Sequence, residues 1–364
     1  MRVGIIIPNS NMYPALPLDF IRGVKFGFLQ AGLDVDYFIE TPGFGGVAES
    51  IEAAGKKLVF EKDIDIAFAF ISTRVSMGLS LFMSQSKTPL FICNTGENIH
   101  AAIETSPYVF YNSLNFSSGA YSLGKHVAEL GLKSPLMAMS FYDCGYDLHF
   151  AFHQGFESVN KSIPHYYISR NLFDEKDKQN FETALDNSKP DALFAVFCGD
   201  ESLSFLEYFS AKNTKDLPVF LTPYAYQPDI WKGKGLLDYS FYTYNSWSPL
   251  LDNENNKSFT TAFADTYQEK PNAILALGFE TAKIASILNG ASINTSQLSS
   301  IAIRDNFNFN EETRRFSSNH FLIKLSRNQQ EYVSRFPQSS DYVLLESHIG
   351  AHSTIGWDNP YLCI

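Results

Sequence analysis

The sequence has little charge, few cysteines and no long apolar run, and each shortage excludes a class of protein. Only 18% of its 364 residues are charged while 45% are hydrophobic, so the chain can build packed cores and is not expected to be disordered. A transmembrane helix needs about 18 or more consecutive apolar residues, and the sequence contains no such stretch. We therefore expect a globular protein that does not insert into a membrane.

Cysteine is scarce as well. Cys93, Cys144, Cys198 and Cys363 stand far apart, with no Cys-x-x-Cys pair and no cysteine–histidine spacing suited to zinc. A disulfide framework is not expected in so large a chain with so few cysteines. Cys93 and Cys198 each end an apolar run, which predicts buried thiols that pack as small hydrophobic side chains. We expect no metal and no other cofactor.

Basic residues are outnumbered, with 28 lysines and arginines against 39 acidic residues and a net charge of -11. A protein that binds nucleic acid needs a basic face to displace counterions from the phosphates. The nearest candidates, residues 56–57 and 314–315, are isolated pairs. Binding to nucleic acid or to an anionic membrane surface is therefore not expected.

Short apolar runs alternate with segments of helical spacing along most of the chain. One such series covers residues 3–112, and a second series of similar order covers residues 117–244. The run 64–71 is apolar almost throughout, as expected where helices cover both faces of a parallel sheet. We predict an α/β fold with two doubly wound, Rossmann-like lobes, which suits a chain of 364 residues.

Further elements follow the second series. Helical spacing predicts helices over residues 257–269 and 273–288, and residues 307–325 are typical of a turn and hairpin. The tail from Tyr342 predicts a strand. Because no linker rich in proline, glycine or serine separates the two series, short crossings must join the lobes.

Four stretches of the sequence resemble a known family. Residues 20–26 place a glycine in the first predicted helix, and residues 142–147 combine an aspartate with Gly-Tyr ahead of another helix. Residues 259–282 contain a tyrosine, a proline and a Gly-Phe-Glu-Thr-Ala segment, and residues 307–310 begin the predicted hairpin. In order and spacing, these stretches resemble the type I periplasmic binding proteins, in the leucine/isoleucine/valine-binding branch.

The resemblance implies two lobes joined by three hinge crossings, a ligand cleft between them and no catalysis. It also implies a periplasmic or exported location and an ABC permease as partner. On this basis we expect residues 1–115 with 247–306 to form the first lobe, and 116–246 with 307–364 the second. The function expected is hinge closure around a small polar or amino-acid-like ligand, with an aromatic ring or a carboxylate as candidate features.

The candidate ligand site lies in the loops that follow the strands, because open α/β sheets bind ligands beyond the carboxyl ends of their strands. This rule and the resemblance together predict ten ligand-binding residues: Tyr13, Ser72, Thr73, Asn94, Thr95, Gly96, Glu97, Tyr146, Asp200 and Tyr224. Tyr146 is placed there by the resemblance, to within one position of the family's site tyrosine.

Several of these assignments have a plain structural alternative. Ser72 and Thr73 offer an anion seat at a helix start, or one of them only caps its own helix. Glu97 could bind a cation or simply lie exposed. Asp200 could contact the ligand or be no more than a helix cap.

Tyr224 departs from the family pattern. The branched-chain amino-acid binders carry a glutamate at this point, which pairs with the ammonium of the ligand, and a buried ammonium without such a partner is costly. Either Glu97 or Asp200 replaces that glutamate, or the ligand is not a standard α-amino acid. The aromatic side chains of Tyr13, Tyr146 and Tyr224 would suit a cation or a flat aromatic acid.

An enzyme is the first alternative class. Five histidines are available as bases or ligands: His100, His149, His153, His348 and His352. The last two are four residues apart, but Gly350 lies between them and no third metal ligand is apparent. The Gly-x-Ser-x-Gly, Gly-x-Gly-x-x-Gly and P-loop motifs do not occur. We predict a protein that is not an enzyme.

The second alternative is a ligand-sensing protein of the same fold that does not transport. The chain enters its first strand at residue 3, without a basic region, an apolar leader or a cleavage site. Either a signal segment was removed, as transport requires, or the protein is cytoplasmic, as a sensor would be. A repressor of the related class would begin with a helix-turn-helix, which the sequence does not show.

Overall fold

The structure is a computed structural model that describes residues 1–99, 106–162, 164–170, 173–212, 217–226, 239–326, 329–349 and 356–364. Its strands, in chain order, are β1 (Arg2–Ile6), β2 (Asp36–Glu40), β3 (Ile66–Phe70), β4 (Leu90–Asn94), β5 (Val109–Ser113), β6 (Pro135–Ser140), β7 (His165–Ser169), β8 (Ala192–Val196), β9 (Val219–Leu221), β10 (Phe241–Asn245), β11 (Leu288–Asn289), β12 (Ser292–Ile293), β13 (Asn308–Asn310), β14 (Arg315–Ser317), β15 (His320–Ser326) and β16 (Gln329–Phe336). Its α-helices are α1 (Leu16–Gln30), α2 (Ala48–Lys62), α3 (Met77–Ser86), α4 (Phe116–Glu129), α5 (Leu148–Glu157), α6 (Glu175–Ser188), α7 (Gly199–Ala211), α8 (Glu254–Tyr267), α9 (Ala273–Ser286), α10 (Thr295–Ile301) and α11 (Ser340–Ile349).

Two seven-stranded sheets dominate the described part of the chain. The first has the strand order β13-β14-β5-β4-β3-β1-β2, and the second has the order β16-β15-β10-β9-β8-β6-β7. In each sheet a block of parallel strands extends to both sides of its first strand, which is the doubly wound pattern. The predicted α/β fold with two Rossmann-like lobes is confirmed.

The inner strands owe their continuous apolar sequences to burial on both faces. Every residue of β3, β4 and β8 is buried. The edge strand β2 has no buried residue and carries a charged residue at each end. This contrast is expected for parallel sheets covered by helices on both sides, with charge at the exposed edge.

Each sheet is covered in part by a pair of helices that touch through glycine. α1 packs on α9, where a Cβ at Gly23 would lie 2.1 Å from the carbonyl oxygen of Leu275. α4 packs on α5, where a Cβ at Gly124 would lie 2.0 Å from the carbonyl oxygen of Phe152. Glycine at these positions lets the two backbones approach more closely than any side chain would allow.

Replacing Gly124 with alanine is expected to lower the free energy of unfolding by about 2 kcal/mol. The new methyl group would meet the backbone of Phe152, so overpacking of about 3 kcal/mol outweighs a gain of about 1 kcal/mol in helix propensity. Urea denaturation followed by circular dichroism measures the difference. The matched control is Gly78→Ala in α3, where the Cβ meets only the flexible carboxylate of Glu52. An equal loss in both variants would contradict the packing explanation.

The chain passes between the two sheets three times within the described residues. It does so from β5 to α4 at residues 114–115, from β10 to α8 at residues 246–253, and from β14 to β15 at residues 318–319. Each crossing is short, as the absence of a linker composition predicts. Three crossings are also the number that the family resemblance implies.

The hairpin of β13 and β14 belongs to the first sheet. Arg315 in β14 pairs with Tyr111 in β5, so residues 308–317 extend the first sheet. The expected division placed all of residues 307–364 with the second lobe, and this hairpin departs from it. The reason is the apolar face of the hairpin, where Phe309 packs against Phe110 of β5 as well as against the buried Phe316.

The strand predicted from Tyr342 is wrong, because this part of the chain forms the helix α11. Tyr342 is buried, and its hydroxyl lies 2.6 Å from Ser117 Oγ. Glu346 forms an ion pair with Arg315 at 3.3 Å. Residues four apart share one face of a helix, so both side chains of this helix face the protein. The strand β16 was not predicted, since most of its side chains are exposed.

Candidate functional site

The loops that follow the strands of the two sheets meet in one region. On the first sheet these loops follow β1, β3 and β4, and on the second they follow β6, β8 and β9. This is the carboxyl-end position at which open α/β sheets bind ligands.

Tyr13, in the loop after β1, reaches the second sheet directly. Its hydroxyl donates to the carbonyl oxygen of Tyr224 at 2.6 Å and accepts from the N–H of Gly199 at 3.1 Å. The rings of Tyr13 and Tyr224 are 5.3 Å apart in an edge-to-face arrangement. Burial raises the pKa of the Tyr13 hydroxyl well above its ordinary value, so it remains a neutral donor. Two predicted site residues are thus brought into contact.

The loop after β4 is held in a tight turn by its own side chains. Asn94 donates from Nδ2 to the carbonyl oxygen of Ile71 at 3.1 Å and accepts the N–H of Gly96 at 3.0 Å. Gly96 has a φ of 75°, a left-handed conformation that favours glycine. Thr95 uses its hydroxyl within the loop, donating to Glu97 Oε2 at 2.8 Å.

Glu97 is buried, with 1% of its surface exposed, which excludes the alternative of an exposed carboxylate. Burial raises the pKa of Glu97, although the hydroxyl of Thr95 and the backbone N–H of Tyr361 act in the opposite direction. Its Oε1 atom has no hydrogen-bond partner among the described residues. A buried acceptor without a donor is costly, so this oxygen is suited to a donor from a bound molecule.

Ser72 and Thr73 follow β3 and start a single turn of 3-10 helix. Ser72 Oγ accepts the N–H of Arg74 at 3.3 Å and a bond from Asn98 Nδ2 at 3.4 Å, which makes it a cap. Thr73 accepts at its carbonyl from the hydroxyl of Ser76 at 2.8 Å. The Ser72 hydroxyl therefore has local partners, and the anion seat stays a prediction.

Asp143 is a buried residue of this region that the sequence reasoning did not select. It follows β6, is 1% exposed, and accepts the hydroxyl of Ser140 at 2.6 Å. Burial raises its pKa to about 6. The available signal was its position after an apolar strand, three residues ahead of the predicted Tyr146. Tyr146 is itself buried, with its hydroxyl 2.8 Å from that of Tyr142.

A second set of contacts joins the two lobes at Asp147. Its backbone N–H donates to the carbonyl oxygen of Glu97 at 3.0 Å, and its Oδ2 accepts the N–H of Ile99 at 2.8 Å. The guanidinium of Arg74 lies 3.7 Å from the same carboxylate. Together with Tyr13, these bonds hold the loops of the two sheets against each other.

Asp200 lies apart from these buried groups. It occupies the first turn of α7 and is exposed. An acidic residue in the first turn also interacts favourably with the helix dipole, which is the plain alternative for this position. Its role as a ligand contact stays a prediction.

The tail segment, defined as residues 356–364, also reaches this region, and the sequence reasoning did not place it there. The side chain of Tyr361 is fully buried and donates from its hydroxyl to Asp143 Oδ1 at 2.5 Å. Asn359, Cys363 and Ile364 line an adjoining cavity of about 990 Å³, together with residues that follow β2. No local pattern in the sequence indicates this position.

Of the five candidate histidines, the structure describes the side chains of His149 and His153. Burial lowers the pKa of His149 to about 4, and His153 Nδ1 lies 2.6 Å from the hydroxyl of Tyr166. His100 and His352 lie outside the described residues, as does the side chain of His348. Within the part of the chain that is described, no group of three histidine, cysteine or acidic residues is placed to hold a metal.

The four cysteines are free thiols, with Cys93 and Cys198 buried as the apolar runs predict. Among the helices that the structure describes, none combines the length and apolar character needed to cross a membrane.

Two doubly wound lobes whose strand ends face a shared cleft define the architecture of a bilobal ligand-binding protein. The sequence matches the periplasmic binding protein family over residues 2–291. The chain belongs to this family, which confirms the resemblance stated from its motifs. Comparison with curated protein sequences gives no match.

Solved structures of ABC transporter binding proteins share this fold. The substrate-binding protein from Sphaerobacter thermophilus superimposes with a TM-score of 0.75 and 16% identity, covering 93% of this chain and 98% of that one. A solute-binding protein from Rhodopseudomonas palustris, in complex with p-hydroxybenzoic acid, superimposes with a TM-score of 0.73 and 16% identity, covering 95% of this chain and 100% of that one. A leucine-binding protein from Thermotoga maritima superimposes with a TM-score of 0.67 and 12% identity, covering 93% of this chain and 99% of that one.

Proposed function

We propose that this protein captures a small ligand between its lobes by hinge closure and delivers it to an ABC permease. The observation that carries the proposal is the direct contact across the cleft, in which the Tyr13 hydroxyl bridges to Gly199 and Tyr224. Loops from both sheets meet at the strand ends, where a ligand would be enclosed on all sides. Membership of the periplasmic binding protein family supports the same function.

The chemistry of the cleft favours a ligand that has both a hydrogen-bond donor and an apolar body. Glu97 and Asp143 are buried carboxyl groups that can accept from an ammonium or a hydroxyl. Tyr13, Tyr146 and Tyr224 supply aromatic surface. The structurally similar proteins that bind p-hydroxybenzoic acid and leucine fall into the two ligand classes that this arrangement suits.

The partners and location follow from the same proposal. A binding protein of an ABC transporter works outside the cytoplasmic membrane and docks on a permease, so we infer an exported protein without catalytic activity. We keep the proposed division into two lobes, with residues 308–317 assigned to the first because they extend its sheet. The remaining predicted contacts, Ser72, Thr73, Asn94, Thr95, Gly96 and Asp200, stay candidates for the site.

A thermal-shift screen tests the proposal, since a ligand that binds only the folded protein raises its melting temperature. The screen covers amino acids, aromatic acids and short amides. The compound that binds most tightly should also reduce the radius of gyration in small-angle X-ray scattering, because closure brings the lobes together. A tight ligand that leaves the scattering profile unchanged would exclude hinge closure, and a screen without any binder would exclude ligand capture.

The variant Tyr13→Phe sharpens this test. It removes the hydroxyl that bridges the lobes. The compound that binds most tightly to the unaltered chain should therefore bind this variant about tenfold more weakly, as expected for the loss of one to two hydrogen bonds. Tyr37→Phe in β2 is the matched control, because this residue lies in the edge strand of the first sheet, away from the cleft. If both variants bind the compound equally tightly, the hydroxyl of Tyr13 does not stabilise the closed state.

A further inference from the structure

The tail segment lies between the two lobes, where the proposed function places the ligand. Its contacts with the first lobe come from the loop after β1. Ser10 Oγ donates to the carbonyl oxygen of Leu362, and the N–H of Asn11 donates to the carbonyl oxygen of Ile364 at 2.6 Å. The loop after β1 is one of the loops predicted to bind the ligand, and here two of its hydrogen-bond donors are used by the tail segment.

Its contacts with the second lobe come from the turn after β6. Trp357 Nε1 donates to the carbonyl oxygen of Tyr142 at 2.7 Å, and Asn359 Nδ2 donates to the hydroxyl of Tyr146 at 3.1 Å. The tail segment is therefore bonded to both lobes at once, as a ligand enclosed by them would be.

The side chain of Tyr361 fills the centre of this arrangement. Its ring lies 5.0 Å from that of Tyr146 in an edge-to-face contact and 6.3 Å from that of Tyr142, nearly parallel to it. Its hydroxyl donates to Asp143 Oδ1 at 2.5 Å. The surroundings thus bind a phenol by two aromatic faces and one carboxyl acceptor, a chemistry that a free phenolic molecule would meet equally well.

We propose that the tail segment is an intramolecular occupant of the ligand cleft, and that the ligand is a phenol-bearing small molecule that takes the place of the Tyr361 side chain. The proposal rests on the proposed function, because it assigns the occupant and the ligand to the same cleft. Binding then requires the tail segment to leave, so the measured affinity is the intrinsic affinity reduced by the fraction of molecules with a vacated cleft.

The test compares the unaltered chain with its Tyr361→Ala variant by calorimetry, using 4-hydroxybenzoate and benzoate as probes. Because the competing phenol is gone, the variant should bind 4-hydroxybenzoate at least tenfold more tightly than the unaltered chain. Benzoate should bind the variant more weakly than 4-hydroxybenzoate, since it cannot donate to Asp143. Tyr37→Phe in β2 is the matched control, because this residue lies in the edge strand of the first sheet, away from the tail segment, so its affinity should stay unchanged.

A second variant covers the case in which Tyr361→Ala does not fold. Tyr361→Phe keeps the ring but loses the bond to Asp143, so its affinity for 4-hydroxybenzoate should lie between those of the other two proteins. Hydrogen exchange gives an independent readout, because the amide of Asn11 should exchange faster when saturating 4-hydroxybenzoate displaces its partner in the unaltered chain.

Three results would overturn the proposal. First, the unaltered chain and Tyr361→Ala (or Tyr361→Phe, if the alanine variant does not fold) could bind 4-hydroxybenzoate equally tightly. This would show that the tail segment does not compete with the ligand, while ligand capture itself would stand. Failure of every variant to bind 4-hydroxybenzoate would exclude the phenolic class. Unchanged exchange at Asn11 in the saturated complex would show that the tail segment stays in place. The proposed function fails separately, when no compound of the wider screen binds the unaltered chain.

Discussion

Replacing Arg304 with alanine is expected to lower the free energy of unfolding by about 4 kcal/mol. The side chains of Arg304 and Glu280 are 1% and 0% exposed, and Arg304 Nε donates to Glu280 Oε2 at 2.7 Å. The guanidinium also donates to the carbonyl oxygen of Ser113 at 2.6 Å and to Asn112 Oδ1 at 2.5 Å. Removing it leaves a buried carboxylate and two further acceptors without their charged donor.

Chemical denaturation with urea measures this loss. Arg335→Ala is the control, because Arg335 is exposed and its pair with Asp305 at 3.2 Å should contribute less than about 1 kcal/mol. The double variant Arg304→Met with Glu280→Met should be more stable than Arg304→Ala, since it leaves no unpaired buried charge. A double variant that is no more stable would mean that the uncompensated carboxylate does not cause the effect.

The position of this ion pair gives it a role in the architecture. Glu280 lies in α9, while Asn112 and Ser113 end β5, directly before the first crossing between the lobes. Arg304 therefore ties a covering helix of the first sheet to the strand from which the chain leaves that sheet. Because hinge closure requires each lobe to move as a rigid unit, a firm anchor at this point favours rotation at the crossings over deformation of the lobe.

The fold could be predicted because burial controls local sequence in parallel sheets. The apolar run that contains β3 and the helical spacing of α1 each follow from packing between two layers, and two such series predict two sheets. The prediction failed at α11 for the same reason. Its apolar residues Val343 and Leu344 are exposed, so their hydrophobicity carries no information about which face is packed.

The site could be predicted only in part. The rule that ligands bind at strand ends pointed to Tyr13 and Glu97, and the family resemblance pointed to Tyr146. All three are buried where the two lobes meet, and their contact with a ligand stays a prediction. The rule could not separate them from Asp200, which also follows a strand but is exposed. The difference is created by which loops face each other across the cleft, and that arrangement depends on the tertiary structure.

The tail segment marks the limit of local reasoning. Tyr361 donates to Asp143, which lies 218 residues earlier in the chain. Periodicity and turn chemistry describe neighbours in sequence, so they indicate neither this contact nor the burial of Asp143. A single sequence shows the residue types of such a pair but not their proximity.

Between pH 4 and pH 8, the free energy of unfolding of the unaltered protein should fall by about 3 kcal/mol more than that of its Asp143→Asn variant. Burial raises the pKa of Asp143 from 3.8 to about 6, so the folded protein holds this proton more tightly than the unfolded chain does. The stability due to this group is therefore fully present below pH 3.8 and is lost as the pH rises through about 6. A shift of about two pKa units corresponds to about 3 kcal/mol.

Denaturation curves recorded at pH 4, 6 and 8 measure this difference. Ser140 and Tyr361 both donate to the carboxyl group of Asp143, and Glu201, whose pKa burial raises to about 7, lies near enough to repel its charge. Because the charge of Asp143 contributes to the raised pKa of Glu201, the variant also loses part of the pH dependence of Glu201, which has the same sign and adds to the difference. Asp252→Asn is the control: Lys257 lowers the pKa of this exposed carboxyl, which therefore titrates below the measured range. If Asp143→Asn keeps the full pH dependence of the unaltered chain, the carboxyl is not buried, and the phenol site built on it is lost as well.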